Sequence, residues 1–85
     1  MPKKTYFVYI VQCQDGTYYT GSTNDITARI QKHNAGLGAK YTRGRLPVKL
    51  KYSKKFSSKA KALSREWNIK KLARKQKKAL IEGYL

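Results

Sequence analysis

Among 85 residues there are four acidic side chains, one histidine and one cysteine, so the groups able to do proton or metal chemistry can be taken singly. Asp15 precedes Gly16, the pair a tight turn requires. Asp25 stands at the start of a helical pattern, where the helix dipole favours an anion, and Glu82 lies near the chain end. Glu66 borders an apolar stripe, three residues after Leu63 and directly before Trp67. It has two readings. One is an i,i+4 ion pair with Lys70 worth about 0.2–0.5 kcal/mol. The other is a ligand for Mg²⁺, which keeps most of its waters and needs only one or two carboxylates beside substrate phosphate oxygens.

His33 follows Arg29 by one helical turn, so the two share a stripe. The imidazole can cap a helix end or accept a proton near neutrality. Arg29 is either a solvated cation or a planar fork for phosphate oxygens. Tyr9 and Tyr19 suit cross-strand packing. Ionising a tyrosine of pKa near 10 at pH 7 costs about 4 kcal/mol unless a cation or a histidine helps, so either is a poor base alone. Cys13 reads as a buried strand residue. The sequence has no Walker A loop, no G-x-G-x-x-G, no paired Cys or His at metal spacing and no Ser-His-Asp set.

These groups need elements to hold them. Thr5 to Cys13 is β-branched and aromatic, with Phe7, Tyr9, Val11 and Cys13 on one face and Val8 and Ile10 on the other. A strand apolar on both faces belongs in the middle of a sheet. Thr17 to Ser22 reads as the returning strand. A two-residue Asp-Gly turn puts Tyr9 and Tyr19 on opposite faces. A three-residue Gln14-Asp15-Gly16 loop, with Gly16 in the left-handed region, pairs Tyr9 with Gly21 and Tyr19 with Val11 on one shared face. The second register is favoured, because Gly21 then leaves a notch beside the Tyr9 ring.

Asn24 is the expected cap of a helix from Asp25 to about Asn34, held by Ile26 and Ile30 and closed by Gly36. Residues 36–47 read as loop. Val48, Leu50 and Tyr52 alternate with Lys49 and Lys51, the pattern of an edge strand covered on one face. Ser57 or Ser58 caps a second helix to about Lys71, with Leu63, Trp67 and the stem of Lys70 on its buried side. Ala73 to Glu82 forms a third, very basic helix. The order ββαβαα gives a small α/β (α+β) fold, helices on a three-stranded sheet, as one domain over 1–85.

With 20 Lys or Arg against 4 Asp or Glu, the net charge is +16. That far exceeds what solubility needs and points to a polyanion, nucleic acid before membrane. One cysteine excludes an internal disulfide and a Cys-based zinc site. The apolar run Tyr6–Val11 is too short to span a bilayer or to act as a signal core behind Pro2-Lys3-Lys4. The expectation is a cytoplasmic protein with no membrane partner.

Phe7-Val8-Tyr9, nine residues, then Tyr19-Thr20-Gly21 resembles the paired tripeptides that name the GIY-YIG nuclease family. D-G-T-Y-Y-T-G-S-T-N-D-I, the Arg29-to-His33-Asn34 spacing, Y-T-R-G-R-L-P and R-E-W-N-I-K-K-L look like its small stand-alone UPF0213 group. That group is similar to the nuclease domain of the structure-specific Slx1 endonucleases. The resemblance implies a mixed three-stranded sheet and DNA phosphodiester hydrolysis, linked to repair or recombination, with one divalent ion, Mg²⁺ or Mn²⁺. It implies that Tyr9 and Tyr19 line the site and that one of them positions or deprotonates the attacking water. Arg29 then holds the scissile phosphate, His33 accepts the proton and Glu66 holds the metal.

Phe7 and Thr20 depart from the tripeptides, and the asparagine that many members carry downstream is absent, Gln76 and lysines standing in that region. Lys40, Arg43, Arg45, Lys70, Lys71, Arg74 and Lys75 are candidate phosphate contacts. Neutralising about five phosphates gives a salt slope near −4.5. Such contacts read backbone rather than sequence, so the expected partner is branched, flap or duplex DNA, with any specificity directed at DNA shape, and the Slx1 resemblance implies room for an activating protein partner. The competing reading is a catalytically silent, basic nucleic-acid-binding module on the same fold.

Overall fold

The computed structural model describes residues 5–83, so Pro2-Lys3-Lys4 lie outside the described residues. Tyr6–Gln12 forms β1, Tyr18–Thr23 β2, Ile26–Asn34 α1, Lys40–Arg43 α2, Lys49–Phe56 β3, Lys59–Lys70 α3 and Arg74–Ile81 α4. The order is the expected ββαβαα, with α2 added as a single turn inside the loop expected over 36–47.

The sheet order is β2-β1-β3, so β1 is central as its two apolar faces demand. Both pairings are antiparallel. The sheet is therefore not mixed, which corrects the expectation drawn from the resemblance. The connection through α1 starts β3 in the same direction as β2, but on the far side of β1, so the two parallel strands never pair.

The hairpin takes the three-residue loop. The Cys13 amide donates to the Thr17 carbonyl at 2.8 Å, and Gly16 adopts φ +86°. Tyr9 faces Gly21 and Val11 faces Tyr19, which brings both tyrosines to one face. Asp15 completes the turn by accepting from the Thr17 amide and hydroxyl at 3.1 and 2.6 Å.

Two small cores sandwich the sheet. Val8 and Ile10 pack with Ala62, Ile69 and Leu80 beneath α3 and α4. Tyr9, Val11 and Cys13 pack with Val48, Ile26 and Ile30 beneath α1. Asn34 fastens the end of α1 to the sheet: its Oδ1 accepts from the Val48 amide at 2.7 Å and its Nδ2 donates to the Val48 carbonyl at 3.3 Å.

Three expectations from local pattern are corrected. Asp25 rather than Asn24 caps α1, its carboxylate accepting from the Ala28 amide at 3.0 Å, because Thr23 Oγ1 ties down the Asp25 amide. A register shift opposite Ile10 and Val11 inserts Lys51 as an extra residue. This bulge flips the face of β3, so Val48 joins the α1-side core, Tyr52 the α3-side core, and Leu50 is left exposed. On α3, capped by Ser58, the buried stripe is Ala62, Glu66 and Ile69, while Leu63 and Trp67 face solvent at 48% and 62% exposure and Lys70 is exposed. The helix is rotated from the expected face because small Ala62 lets it approach the sheet closely, where Trp67 would not fit.

Candidate active site

Tyr9 is 1% exposed in the centre of the sheet, and its hydroxyl reaches across β2 because Gly21 has no side chain there. A Cβ at Gly21 would stand 2.5 Å from the Tyr9 hydroxyl and 2.7 Å from Cζ, so the notch expected from the register is real and filled. The hydroxyl meets His33 Nε2 at 2.9 Å, and His33 is fully buried.

His33 arrives there because α1 carries it as a buried position one turn beyond Arg29. A second glycine makes room for it. A Cβ at Gly38 would lie 2.6 Å from the imidazole Cγ and 2.8 Å from the His33 Cα, so the chain can pass over the ring only as glycine. On the other side of the ring, His33 Nδ1 meets Thr42 Oγ1 at 2.9 Å, and Thr42 Oγ1 donates to the Ala39 carbonyl at 3.1 Å. Thr42 is fully buried on α2.

This chain of bonds sets the direction of every proton in it. A carbonyl can only accept, so the single Thr42 hydrogen goes to Ala39 and Thr42 must accept from His33 Nδ1–H. The unprotonated Nε2 then accepts from the Tyr9 hydroxyl. Tyr9 thus holds its proton against a neutral imidazole whose basic nitrogen faces it. Burial, with Tyr19 nearby, pushes the Tyr9 pKa up to about 12, opposed by the Arg29 guanidinium, and Glu66 adds a smaller upward push. Burial, and then Arg29, hold His33 below its ordinary value. Arg29 from α1 and Glu66 from α3 are both within electrostatic reach of the hydroxyl.

Tyr19 contacts the imidazole edge-on, with centroids 5.4 Å apart, and stacks on Tyr41 at 6.0 Å. Its neighbour Thr20 turns to the opposite face and is buried with no hydrogen-bond partner for Oγ1 among the described residues, an uncompensated cost of about 1–3 kcal/mol.

Glu66 makes the ion pair expected from its i,i+4 spacing with Lys70. Its Oε2 pairs with Lys70 Nζ at 2.8 Å, yet the side chain is only 16% exposed and sits in the stripe facing the sheet. Among the described residues no three His, Cys, Asp or Glu side chains gather into a metal cluster. One oxygen donor set at a partly open position suits a hard ion that retains water, and does not suit a closed zinc site. The residues therefore fit Mg²⁺ or Mn²⁺ held by Glu66 with water and substrate oxygens. Gln76, in the region of the absent asparagine, is engaged otherwise: its Oε1 accepts from the Ala73 amide at 2.9 Å at the start of α4.

The basic residues divide into two groups. Lys40, Arg43 and Lys75 are exposed, Lys70 faces Glu66, and the Lys71 ammonium lies 5.0 Å from the Trp67 ring centre. Arg45 and Arg74 are tied to the hairpin turn. Arg45 Nε donates to Asp15 at 3.0 Å with its guanidinium 4.1 Å from the Tyr41 ring centre, and Arg74 donates to the Gly16 carbonyl at 2.7 Å beside Tyr18. A 300 Å³ groove lined by Tyr18, Tyr19, Thr20, Tyr41, Lys70 and Lys77 runs alongside these residues.

Sequence reasoning missed Thr42, Gly38 and Lys77. Thr42 and Gly38 lie in the stretch expected to be loop, where the one available signal is its three glycines. Because His33 is the only histidine, its ring is directly visible by NMR. Its signals should titrate below pH 6.5 and show the Nδ1–H form above that point. The depressed value also sets a stability trend: the unfolded chain binds the proton first, so the contribution is complete above about pH 6.5 and is lost as pH falls toward the folded value. A ring that carries its proton on Nε2 contradicts the direction of these hydrogen bonds, and one that titrates at or above 6.5 contradicts the effect of burial and Arg29.

A family model described as the GIY-YIG catalytic domain matches residues 5–79. A UPF0213 protein of Halobacterium salinarum is 57% identical over 87% of this chain and 96% of its own length. One of Lacticaseibacillus paracasei is 48% identical over 99% of this chain and 94% of its own. The solution NMR structure of a UPF0213 protein from Bacillus halodurans, 46% identical, matches with a TM-score of 0.61 over 92% of this chain and 83% of that one. That of a protein from E. faecalis, 39% identical, matches at 0.65 over 96% and 88%. No helix among the described residues is long and apolar enough to cross a membrane.

Proposed function

This chain belongs to the GIY-YIG domain family and its UPF0213 group, and on that premise we propose that it is a divalent-metal-dependent endonuclease that hydrolyses DNA phosphodiester bonds. The family is one of nucleases acting on DNA. The observation that carries the reading for this chain is the buried line from Tyr9 through His33 and Thr42 to the Ala39 carbonyl, with Arg29 and Glu66 in electrostatic reach of its Tyr9 end.

The line explains how a tyrosine with a raised pKa can serve as a base. No free phenolate is needed. As water attacks phosphorus, the Tyr9 oxygen takes the water proton while the Tyr9 proton passes to His33 Nε2. Thr42 accepts from Nδ1–H throughout and holds the ring in line, the orienting role that a third group plays behind a histidine base. The P–O bond to the leaving oxygen breaks, and that oxygen is protonated from solvent. Burial and Arg29 make the transient imidazolium acidic, so Nε2 returns its proton to the Tyr9 oxygen as that hydroxyl releases the water-derived proton to solvent, and the pair resets. Arg29 neutralises the non-bridging oxygens. A Mg²⁺ or Mn²⁺ held by Glu66 supplies, when bound, Lewis-acid polarisation of the phosphate and stabilisation of the leaving oxygen. Tyr19 positions His33 rather than acting as base. Lys40, Arg43, Lys70, Lys71 and Lys75 carry the DNA backbone, with Arg45 and Arg74 adding charge from the hairpin turn. Work on branched or flap DNA in repair or recombination, with an activating partner, fits a domain that reads backbone and shape.

The Lys70–Glu66 ion pair favours a second reading, a silent binding module in which Glu66 is only a helix-surface partner. One assay separates them: labelled duplex, single-stranded, flap and four-way-junction DNA with Mg²⁺, Mn²⁺ or chelator. Cutting that needs metal is the expected result. Binding with a salt slope near −4.5 and no cutting of any substrate, under any metal, assigns the silent module.

A further inference from the structure

Trp67 is the only tryptophan in the chain, and it faces solvent. The stripe Ala62, Glu66, Ile69 serves the core of α3, leaving the indole 62% exposed with Leu63, one turn earlier, at 48%. A Trp side chain can bury roughly 150–250 Å², and this one forgoes that burial. Its surroundings indicate what it meets. The Lys71 ammonium is 5.0 Å from the ring centre. Trp67 also joins Glu66, Lys70 and Leu63 around a groove of 190 Å³. An aromatic face interleaved with cations is the arrangement that takes single-stranded nucleic acid, bases on the ring and phosphates on the lysines. The net charge of +16 disfavours any but a polyanionic occupant.

We propose that Trp67 stacks an unpaired nucleobase, with Lys70 and Lys71 on its phosphates, so that the substrate carries an unpaired nucleotide beside the phosphate presented to Glu66. The inference rests on the nuclease reading for the role of Glu66, but the stacking itself does not. In continuous duplex every base is stacked inside the helix and none reaches the indole. Flaps and single strands offer one.

The sole tryptophan makes the test direct. In chelator, where nothing is cut, its emission is followed while single-stranded oligonucleotide or blunt duplex of the same sequence is added. Single strands should quench and saturate it, and duplex should leave it nearly unchanged. Trp67→Ala should weaken single-strand binding by about 5- to 150-fold while duplex affinity holds, and Trp67→Phe should recover part of the loss. Single-strand binding with unmoved emission overturns the stacking site and leaves the nuclease reading intact. Equal losses for both DNAs in Trp67→Ala also overturn it. Emission that ignores DNA but follows protein concentration, with self-association lost in Trp67→Ala, assigns the surface to a second copy of the chain instead. Failure of any DNA to bind removes both readings together.

Discussion

Tyr9→Phe protein should cut DNA about 10²- to 10⁴-fold more slowly than wild type, the range a positioned general base contributes, with DNA binding unchanged. The substitution removes one oxygen and keeps the ring that fills the core between β1 and α1. It also leaves His33 Nε2 buried without its donor, a cost of about 1–3 kcal/mol, so urea unfolding should be measured beside the rate. Gly21→Ala reaches the same hydroxyl from the opposite strand. Its Cβ would occupy space 2.5 Å from that oxygen and 2.7 Å from Cζ, so the ring must shift, and a shift of about 1 Å costs on the order of 10²-fold. Single-turnover rates on saturating substrate are the measurement. A folded Tyr9→Phe protein that cuts at the wild-type rate removes Tyr9 from the proton path.

Glu66→Gln should abolish metal-dependent cutting, by about 10²–10³-fold or more, since a metal at a transferring phosphate is worth several kcal/mol and each ~1.4 kcal/mol is tenfold. The amide keeps the shape of the side chain and loses the charge that holds a cation. Its effect on binding has the opposite sign. Without the carboxylate that repels the DNA backbone and holds Lys70 Nζ at 2.8 Å, the Lys70 contact to phosphate strengthens, so affinity in chelator should rise. The ion pair lost is half-exposed and worth about 0.3–0.5 kcal/mol, so folding is nearly unaffected. Weaker binding together with retained cutting would place the metal, or its need, elsewhere.

Much of this site is legible in one dimension. Both faces of Tyr6–Gln12 are apolar, which places it centrally, and the loop Gln14-Asp15-Gly16 with Gly21 opposite Tyr9 determines which face carries the tyrosines. Arg29 and His33 share a stripe because helical spacing is local. Each of these follows from periodicity or turn chemistry, where neighbours in sequence are neighbours in space.

Other features depend on contacts between distant segments. The face of α3 that turns inward depends on how closely Ala62 approaches the sheet, so Leu63 and Trp67, core residues by pattern, face solvent instead. The bulge that moves Tyr52 to the other face of β3 is a property of pairing with β1. Thr42 is the clearest case. In sequence it is a threonine in a glycine-bounded loop. Its burial beneath His33, and hence the tautomer it imposes, requires Gly38 to let the chain cross the ring and the single turn of α2 to aim the hydroxyl between Nδ1 and the Ala39 carbonyl. By itself the sequence determined the charge, the hairpin register, the central strand and which rare side chains could do chemistry. The tertiary structure alone decided which of them touch and where each proton sits, because a hydrogen bond depends on a few tenths of an ångström between atoms that no local pattern relates.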